Sequence, residues 1–522
     1  MADTKREIER KFEFAQSGGG PGGGAPHDEP GGTAGGGHRL PDLTGTAGIA
    51  EVSERGTVQL DAVYYDTPGH RLAADGVTLR RRTGGEDAGW HLKLPVAPGV
   101  RDEIRAPLGD TVPQELAALL RSRVRDEPLE PRVRLLSSRE VVHLLDAGGA
   151  LLAELSTDTV LAESGPDSAD WTEVEVELAD GTDPALLDAV EDTFRTAGLR
   201  VSDAPSKLAR ALAETGAAPA APAAPGPADG SAGAHVLAYL RTQYEALVTL
   251  DPAVRRDLPD AVHQMRVATR RLRSAFKSYR DVLDREVTDP LGEQLRRLAA
   301  ELGAVRDQEV LADRLRERLD EVPAALRLGP VRDRLLIWDT GRRQETRLQA
   351  LAALDADWYT GLLDAVEALL ADPPLRKAAA RAADSVLPKA VLHDDERLAG
   401  RVRAALALEP GHERDLALHG ARKAAKRARY AAEAARPALG KPAKRLAKAA
   451  KSVQSLLGDH QDSVVAREAL FGLAVQAQGA GEATFTWGLL HAREEAFADR
   501  LERGLPHVWA KAADPRLRAA LK

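Results

Sequence analysis

Hydrophobic and polar residues alternate with a period of two along many short segments in the first half of the chain. Successive side chains of a β-strand point to opposite faces, so this pattern predicts strands with one apolar and one polar face. Gly- and Asp-containing turns separate several segments, as in a meandering antiparallel sheet or barrel. Helical periodicity predicts helices at 113–123 and 183–198. Beyond a first strand before residue 17, the predicted strands are 58–67, 76–83, 89–95, 101–108, 139–146, 150–161 and 171–178.

The second half of the chain has a different pattern. From residue 234, long Ala-, Leu-, Arg- and Glu-rich segments have the periodicity of α-helices and almost no strand-like alternation. Two low-complexity stretches interrupt the chain: 17–37 contains 11 glycines in 21 positions, and 216–233 contains only Gly, Ala, Pro, Ser and Asp. We therefore predict an α+β multidomain protein. Its expected parts are a barrel domain at 1–213, a linker at 214–233 and a helical domain at 234–510.

Composition narrows the class of protein only slightly. Hydrophobic residues make up 43% and charged residues 29% of the 522 positions, which is ordinary for a soluble protein. No stretch approaches the roughly 18 apolar residues of a membrane span, and the N-terminal MADTKREIERKFEF has no apolar signal core, so a cytoplasmic location is expected. Cysteine is absent, which excludes disulfides and thiolate metal sites. The formal net charge of −8 does not suggest an anionic partner, so the placement of charges matters more than their sum.

The polar faces of the predicted strands carry charges of both signs. A single such strand is best explained by a sheet with one solvated face. At least six strands share the pattern, however, and closing the sheet with these faces inside would bury many charges, which is unfavourable without compensation. A divalent cation on the carboxylates, with phosphates on the guanidinium and ammonium groups, would compensate both sets. The charged positions that share faces are Glu7, Glu9 and Lys11; Glu173, Glu175 and Glu177; Arg80 and Arg82; His91 and Lys93; Glu103 and Arg105; and Glu154 and Asp158.

The sequence around these charged positions resembles that of the CYTH superfamily, the triphosphate tunnel metalloenzymes. The sequence Glu7-x-Glu9-x-Lys11 is similar to the ExExK signature of that family. This signature alone is short, but further matches follow in order over roughly residues 5–213. They are Tyr65-Asp66-Thr67, the LRRR of 79–82, WHLKLP, Glu173-x-Glu175-x-Glu177, and Ser206-Lys207 at the head of a last helix. One departure is the Gly-rich insert at 17–37, where related sequences usually have a short link; we expect it to bulge from the barrel mouth.

The resemblance implies an eight-stranded antiparallel tunnel that hydrolyses a triphosphate with Mg²⁺ or Mn²⁺, or in some members cyclises ATP. By position, the catalytic residues would be Glu7, Glu9 and Lys11, and the metal ligands Glu7, Glu9, Glu173, Glu175 and Glu177. The phosphate-binding residues would be Arg80, Arg82, Lys93, Arg105, Arg139 and Lys207. Arg132 and Arg134 compete with Arg139 for its role. The expected chemistry is attack of a metal-oriented water on the terminal phosphorus, with the general base unidentified.

The helical half contains an internal repeat. HQMR at 263–266 and HGAR at 419–422 each begin a run with basic residues at +3, +7 and +10 from the histidine, a spacing that keeps them near one helix face. GAVRD at 303–307 begins 40 residues after the first histidine, and GDHQD at 458–462 begins 39 after the second. This coincidence predicts a duplicated helical unit. Residues 419–451 also carry 11 Lys/Arg and one acid, an imbalance that a polyanion would neutralise.

These repeats resemble the CHAD family, the conserved-histidine α-helical domain, over roughly residues 235–510. The resemblance implies two pseudo-symmetric four-helix bundles with a basic groove that binds inorganic polyphosphate. The implied binding residues are His263, Arg266, Arg270, Arg273, Lys277, His419, Arg422, Lys423, Lys426 and Arg429. A second candidate wall consists of Lys441, Lys444, Lys448 and Lys451. The two histidines are equally well explained as structural hydrogen-bonding groups, and Asp307 and Asp462 could orient either a histidine or an arginine.

Three functions are consistent with these patterns. The leading prediction is a metal-dependent triphosphatase acting on inorganic triphosphate, polyphosphate ends or an organic triphosphate, whose helical domain tethers polyphosphate and raises its effective concentration. The alternative is a non-catalytic protein that binds or targets polyphosphate. Nucleic-acid binding ranks last, because base stacking requires aromatic side chains and these are only 4% of the chain.

Overall fold

The computed structural model describes residues 3–14, 40–217 and 228–521. The Gly-rich insert that we expected to bulge from the barrel mouth lies outside the described residues, as does 218–227 of the predicted linker. The chain divides into two compact units, Met1–Pro222 and Ala223–Lys522.

The first unit is built on one antiparallel sheet. Among the described residues its strands are β1 Asp3–Phe14, β2 Glu51–Asp66, β3 Thr78–Thr83, β4 Gly89–Ala97, β5 Val100–Ala106, β6 Glu130–Leu145, β7 Leu151–Ser164, β8 Asp167–Leu178 and β9 Leu199–Val201. The strand order is β5-β4-β3-β2-β6-β7-β8-β1-β9, and β5 also pairs with β1. Eight strands therefore close into a ring, and β9 adds to β1 outside it. The predicted antiparallel ring of eight strands is confirmed.

Helices accompany the ring in the described part of this unit. They are α1 Arg71–Ala74, α2 Gln114–Val124, α3 Ala185–Thr196 and α4 Lys207–Glu214. The helices predicted at 113–123 and 183–198 correspond to α2 and α3. The largest departures from the predicted strands are that β2 already begins at Glu51 and β6 at Glu130. The sequence pattern does not predict α1 and β9, since elements of four and three residues are too short to show a period.

The apolar faces of the strands point outward and are covered by helices. Val174 of β8 lies in one buried cluster with Phe12 of β1 and Phe194 of α3. Leu92 of β4 lies in a second cluster with Leu116 of α2, whereas α4 packs on a third cluster on the inner face, because Leu135 is four residues from Arg139 on β6 and points to the same side. Because every second side chain of a strand points the other way, this packing directs the charged faces into the ring.

The second unit is made of helices, as its pattern predicted. They are α5 Ala232–Arg255, α6 Ala261–Ser278, α7 Arg285–Asp320, α8 Val331–Asp355, α9 Asp357–Ala371, α10 Ala383–Leu406, α11 His412–Gly479, α12 Phe485–Ala512 and α13 Pro515–Ala519, with 3₁₀ turns at Ala324–Leu326 and Lys377–Ala380. α11 consists of two helical segments joined at Gly440, whose φ of 62° is left-handed and interrupts the helix.

Three buried apolar clusters hold these helices together. One joins α5, α6, α7, α9 and the start of α10 to the part of α11 around Gly440. The others pack α11 against α10 and α12, and against α7, α8 and α12. Across the described ranges of the chain, no helix is both long and apolar enough to cross a membrane.

Candidate active site

The ring encloses a polar cavity of about 510 Å³. All eight strands of the ring contribute side chains to its wall, and α4 contributes its first residue. The predicted site residues on this wall are Glu7, Glu9, Lys11, Arg80, Arg82, Lys93, Arg105, Arg139, Glu175, Glu177 and Lys207. The remaining predicted residue of this unit, Glu173, is buried, and its Oε1 lies 2.6 Å from Lys207 Nζ. The charged strand faces therefore meet in one enclosed space.

Three carboxylates converge in the ring. Asp158 on β7 and Glu173 and Glu175 on β8 are buried, and each offers an oxygen within 4.8 Å of the other two. Lys207 Nζ lies 3.0 Å from Asp158, 2.6 Å from Glu173 and 2.6 Å from Glu175. Ser206 fixes the start of α4, because its side chain accepts a hydrogen bond from the third residue of that helix. We call Asp158, Glu173 and Glu175 the carboxylate cluster.

The sequence pattern placed Asp158 on a polar strand face with Glu154 but did not predict it as a metal ligand. Asp158 stands in a Ser-Thr-Asp-Thr context without the alternating acids of β1 and β8. Its place becomes visible through strand register, which pairs it with Glu173 on β8 and with Arg139 on β6. The predicted ligand Glu177 has a different environment, because it pairs with Lys5 Nζ at 2.5 Å.

Side chains of β1 connect the carboxylate cluster to the cations of the ring. Glu7 Oε2 lies 2.6 Å from Lys93 Nζ, and burial raises the pKa of Glu7. Glu9 lies 3.4 Å from Lys11; burial opposes its ionisation, but Lys11 and Lys93 hold the pKa of Glu9 well below its usual range. Burial lowers the pKa of Lys11 to about 8, against the influence of Glu9. Lys11 also forms an ion pair with Glu175 of the cluster.

A group of cations surrounds Glu103, which is fully buried on β5. Arg80 Nη2 and Lys93 Nζ each lie 3.7 Å from Glu103 Oε1, and Arg105 Nε donates to Oε2 at 2.5 Å. His91 Nδ1 lies 2.9 Å from the same carboxylate. Burial opposes ionisation of Glu103, but His91, Lys93 and Arg80 hold its pKa far below the usual range. Three cations thus gather around Glu103, with Glu7 as a further partner of Lys93, an arrangement that suits additional phosphate oxygens.

Arg139 joins these cations to the carboxylate cluster. Its Nε and Nη2 each donate to Asp158 at 2.8 Å, and Nη2 also lies 3.0 Å from Glu175. The competing arginines, Arg132 and Arg134, pair with Glu130 and Asp61, and neither of these acids lines the cavity. Of the three arginines, Arg139 is the one on the cavity wall.

The carboxylate cluster fits a hard divalent cation. Its donors are all oxygens, the ligand type that Mg²⁺ and Mn²⁺ prefer. Glu7 Oε2 and Glu173 Oε1 are buried and accept no hydrogen bond of acceptable geometry, although each has a lysine 2.6 Å away. Both oxygens therefore retain lone pairs that a cation could use. Asp158, Glu173 and Glu175, whose oxygens lie within 4.8 Å of one another, are the group that could hold a metal.

Replacing Asp158 by asparagine should weaken Mn²⁺ binding about 10–100-fold. The change removes one anionic donor and leaves the positive charge of Lys207 with one carboxylate fewer to balance it. Titration of the full chain with Mn²⁺ measures this. Asp61→Asn is the matched control, since Asp61 lies on β2 and pairs with exposed Arg134. Equal Mn²⁺ affinity in the two variants, with native-like unfolding, would remove Asp158 from the donor set.

The two predicted basic stripes of the helical unit lie close to each other. The first is on α6 and the second on the first segment of α11. Burial, with the nearby charges of Arg270, Arg422 and Arg266, lowers the pKa of Lys426 to about 6, against an opposing effect of Asp462. Cations of both helices therefore share one electrostatic environment in which cations outnumber acids.

A matching arrangement holds one arginine in each stripe. Arg266 Nη1 donates to Asp307 Oδ1 at 2.7 Å, and Arg422 Nη2 lies 3.7 Å from Asp462 Oδ1. Each guanidinium also packs against the glycine four residues before the acid. A Cβ on that glycine would lie 3.4 Å from the guanidinium in the first repeat and 3.6 Å in the second. The repeated Gly-x-x-x-Asp sequence therefore makes room for and orients an arginine.

The other predicted polyanion contacts lie along the same helices. His263 and His419 are partly buried, and burial is the largest influence that lowers the pKa of each. Arg273 and Arg429 are also partly buried, and Arg429 pairs with Glu433 at 2.6 Å. The exposed members are Lys277, Lys423, Lys441, Lys444, Lys448 and Lys451.

Known domain families match both units. The CYTH domain matches residues 42–212 and the CHAD domain matches residues 238–470. The chain therefore belongs to the proteins in which a CYTH domain, the domain of the triphosphate tunnel metalloenzymes, is fused to a CHAD domain. Members of the CYTH family typically use divalent metals. The matched range begins after β1, although β1 carries Glu7 and Glu9 and pairs within the ring.

Relatives from Mycobacterium tuberculosis extend over nearly the whole chain. The uncharacterized proteins MT2285 and Rv2226 are each 41% identical to it, covering 96% of this chain and 94% of their own length. Among solved structures, PptA from Streptomyces chartreusis is 23% identical and covers 54% of this chain and 99% of its own, with a TM-score of 0.45. HpAC1 from Hippeastrum, described as having a dominant triphosphatase activity, is 17% identical. The match covers 40% of this chain and 95% of HpAC1, with a TM-score of 0.23.

Proposed function

We propose that the ring hydrolyses a triphosphate in a metal-dependent reaction and that the helical unit binds polyphosphate. One observation carries the first part: the carboxylate cluster and the cations around Glu103 share the interior of one closed ring. A triphosphate with its divalent cation has the complementary pattern of charge. Because the wall is mostly charged, the ends of inorganic triphosphate or polyphosphate fit it better than an organic triphosphate does.

The residues of the ring would act mainly by positioning and charge neutralisation. Asp158, Glu7, Glu9, Glu173 and Glu175 would hold the divalent cation, which supplies charge neutralisation and a site that orients water. Glu177 keeps its pairing with Lys5 and would contribute at the edge of this set.

The phosphate oxygens would be bound by cations that are already paired with carboxylates. Entry of a phosphate would replace the carboxylate partners of Arg80, Lys93 and Arg139, whose side chains are held within the ring. The other cations of this set are Lys11, Arg82, Arg105 and Lys207. Such pre-placed cations stabilise the transferring phosphoryl group with little movement of their own.

For the helical unit we infer two pseudo-symmetric bundles with a basic groove for polyphosphate. The equivalent Arg–Asp–Gly arrangements on α6–α7 and α11 support the symmetry. Separate apolar clusters along α11 support the division into bundles. A polyanion would relieve the repulsion among Arg266, Arg270, Arg422 and Lys426.

A second candidate function is polyphosphate binding without cleavage. The observation that favours it is the position of Lys207 Nζ within 3.0 Å of all three members of the carboxylate cluster, where it already neutralises part of their charge. A protein of this kind would retain labelled polyphosphate and release no orthophosphate with any divalent cation. Release that disappears in Glu7→Gln supports the enzyme instead.

The substrate is tested by a screen of inorganic triphosphate, polyphosphate, ATP and thiamine triphosphate, each with Mg²⁺ and with Mn²⁺. We expect the highest kcat/KM for inorganic triphosphate or polyphosphate, because their phosphates alone can engage the charged wall. A clear preference for ATP or thiamine triphosphate would contradict the assignment to an inorganic substrate.

Polyphosphate binding should take up a proton near neutral pH. Free Lys426 has a pKa of about 6 and is mostly neutral above that pH, whereas an adjacent polyanion favours its charged form. The affinity should therefore fall as pH rises above 6, by at most about tenfold per pH unit for one proton. Calorimetry in buffers of different ionisation enthalpy measures the uptake. It should persist in Lys423→Gln and be smaller in Lys426→Gln, in which His263 and His419 can still gain protons; equal uptake in both variants would refute this role of Lys426.

A further inference from the structure

A short loop at one part of the cavity wall places an acid on the predicted phosphate-binding arginines. The loop, residues 84–88, connects β3 to β4, and three of its members line the cavity. Its turn requires glycine at Gly84, which has a φ of 80° and whose added Cβ would lie 2.1 Å from Gln59 O. The Asp87 carbonyl oxygen lies 2.9 Å from His91 Nε2, and this contact anchors the far end of the loop.

The side chain of Asp87 pairs with cations that we assign to the substrate. Its carboxylate contacts Arg82 Nη2 and lies 3.9 Å from Arg105 Nη2. Arg82 is buried beside the like charges of Arg80 and Arg139; burial, and after it these two arginines, lower its pKa to about 9. An anion next to Arg82 is therefore strongly favoured, and the loop supplies one.

Asp87 and Arg105 are accessible from solvent, whereas Arg82 is not. The side chains of Asp87 and Arg105 are 34% and 35% exposed, and that of Arg82 is 6% exposed. An incoming anion can therefore approach the carboxylate and its partners from outside. The exchange of Asp87 for another anion requires movement of a five-residue loop and leaves β3 and β4 in place.

We propose that Asp87 is a built-in competitor that occupies the position of a substrate phosphate on Arg82 and Arg105. The inference rests on the proposed binding of a triphosphate in the ring. A phosphate group carries more charge and more acceptor oxygens than a carboxylate, so it displaces Asp87, while a weakly charged anion does not. Asp87 is then a specificity-determining residue that keeps ordinary anions off these arginines.

The test compares Asp87→Asn with Glu86→Gln in the full chain. Glu86 is its exposed neighbour in the same loop, so the control removes one negative charge at nearly the same place. Asp87→Asn should lower KM for inorganic triphosphate about five- to tenfold, with a smaller change in kcat, and should strengthen inhibition by sulfate to a similar extent. Glu86→Gln should change both by less than about twofold. Equal effects of the two substitutions, or a higher KM in Asp87→Asn, would overturn the proposal.

Hydrogen exchange of residues 84–88 separates this proposal from the proposed activity. Adding inorganic triphosphate should speed exchange in the loop of the wild-type chain, because displaced Asp87 no longer holds it, and should have little effect in Asp87→Asn, whose loop is already released. This change in loop exchange without any orthophosphate release would refute the proposed triphosphatase activity and support the competitor role of Asp87. Orthophosphate release without a change in loop exchange would refute the competitor role and support the triphosphatase activity.

Discussion

Glu175→Gln should lower kcat for triphosphate hydrolysis about 10²–10³-fold, the effect of removing one pre-placed charge from a phosphoryl-transfer site. Glu175 belongs to the carboxylate cluster and also contacts Lys11, Arg139 and Lys207. The substitution therefore removes a proposed metal ligand and unbalances three cations at once. Initial rates at saturating Mg²⁺ and Mn²⁺ measure the loss.

The matched control for this variant is Glu163→Gln. Glu163 lies on β7, is 45% exposed and pairs with Arg134 at 3.8 Å, outside the cavity. It should change kcat by less than about twofold, since exposed ion pairs contribute little. Thermal unfolding of both variants separates loss of activity from loss of fold. If Glu175→Gln is folded and retains the wild-type kcat, the carboxylate cluster has no part in the reaction.

The double variant Arg270→Gln, Arg422→Gln should weaken polyphosphate binding about 100-fold. The two arginines come from the two basic stripes and share the environment of Lys426. Each charged hydrogen bond to a phosphate contributes roughly 1.5 kcal/mol, or about a factor of ten in affinity. Equilibrium binding of labelled polyphosphate to the full chain at fixed salt measures the change. The wild-type affinity should also fall more steeply with salt than that of the variant.

The control for this variant removes two arginines elsewhere in the helical unit. Arg332 and Arg343 lie on α8, are 58% and 51% exposed, and pair with Asp320 and Asp339. Arg332→Gln, Arg343→Gln has the same net charge as the stripe variant and should bind polyphosphate nearly as wild type. Equal losses in both would show that only overall charge matters.

Single-stranded RNA should compete poorly with polyphosphate at matched salt; strong competition would favour the nucleic-acid hypothesis.

The ring and most of its charged wall could be predicted from the alternation of residue types. Many strands carry charges at every second position. This pattern is explained either by a sheet face exposed to solvent or by a face enclosed within a ring. The structure decides between them through packing: Phe12 and Val174 face outward because α3 covers them, so Glu9 and Glu175 must face inward. Helix positions carry this information, and a strand pattern alone does not.

Features that depend on register between strands could not be predicted. Arg134 and Arg139 are an odd number of residues apart on β6, so they belong to opposite faces, and the sequence does not say which face is enclosed. Asp158 shares its strand face with Glu154, and its position beside Arg139 and Glu173 follows only from the pairing of β7 with both neighbouring strands. Asp87 lies in a turn, where no period applies.

The helical repeat was predictable as a repeat but not in its contacts. Equal spacing of His263 and His419 from a Gly-x-x-x-Asp sequence indicated duplication, and it left open whether Asp307 and Asp462 orient a histidine or an arginine. Both acids contact arginines. The reason is that the packing of the helical segments places Arg266 and Arg422, three positions after each histidine, against the glycine that precedes each acid.

Orthophosphate release from inorganic triphosphate by the purified full chain is the most direct test of the account. With Mg²⁺ or Mn²⁺ we predict release that stops when EDTA is added and resumes when the metal is restored. Binding of triphosphate with no release under either metal would contradict the account and leave a polyphosphate-binding protein in its place.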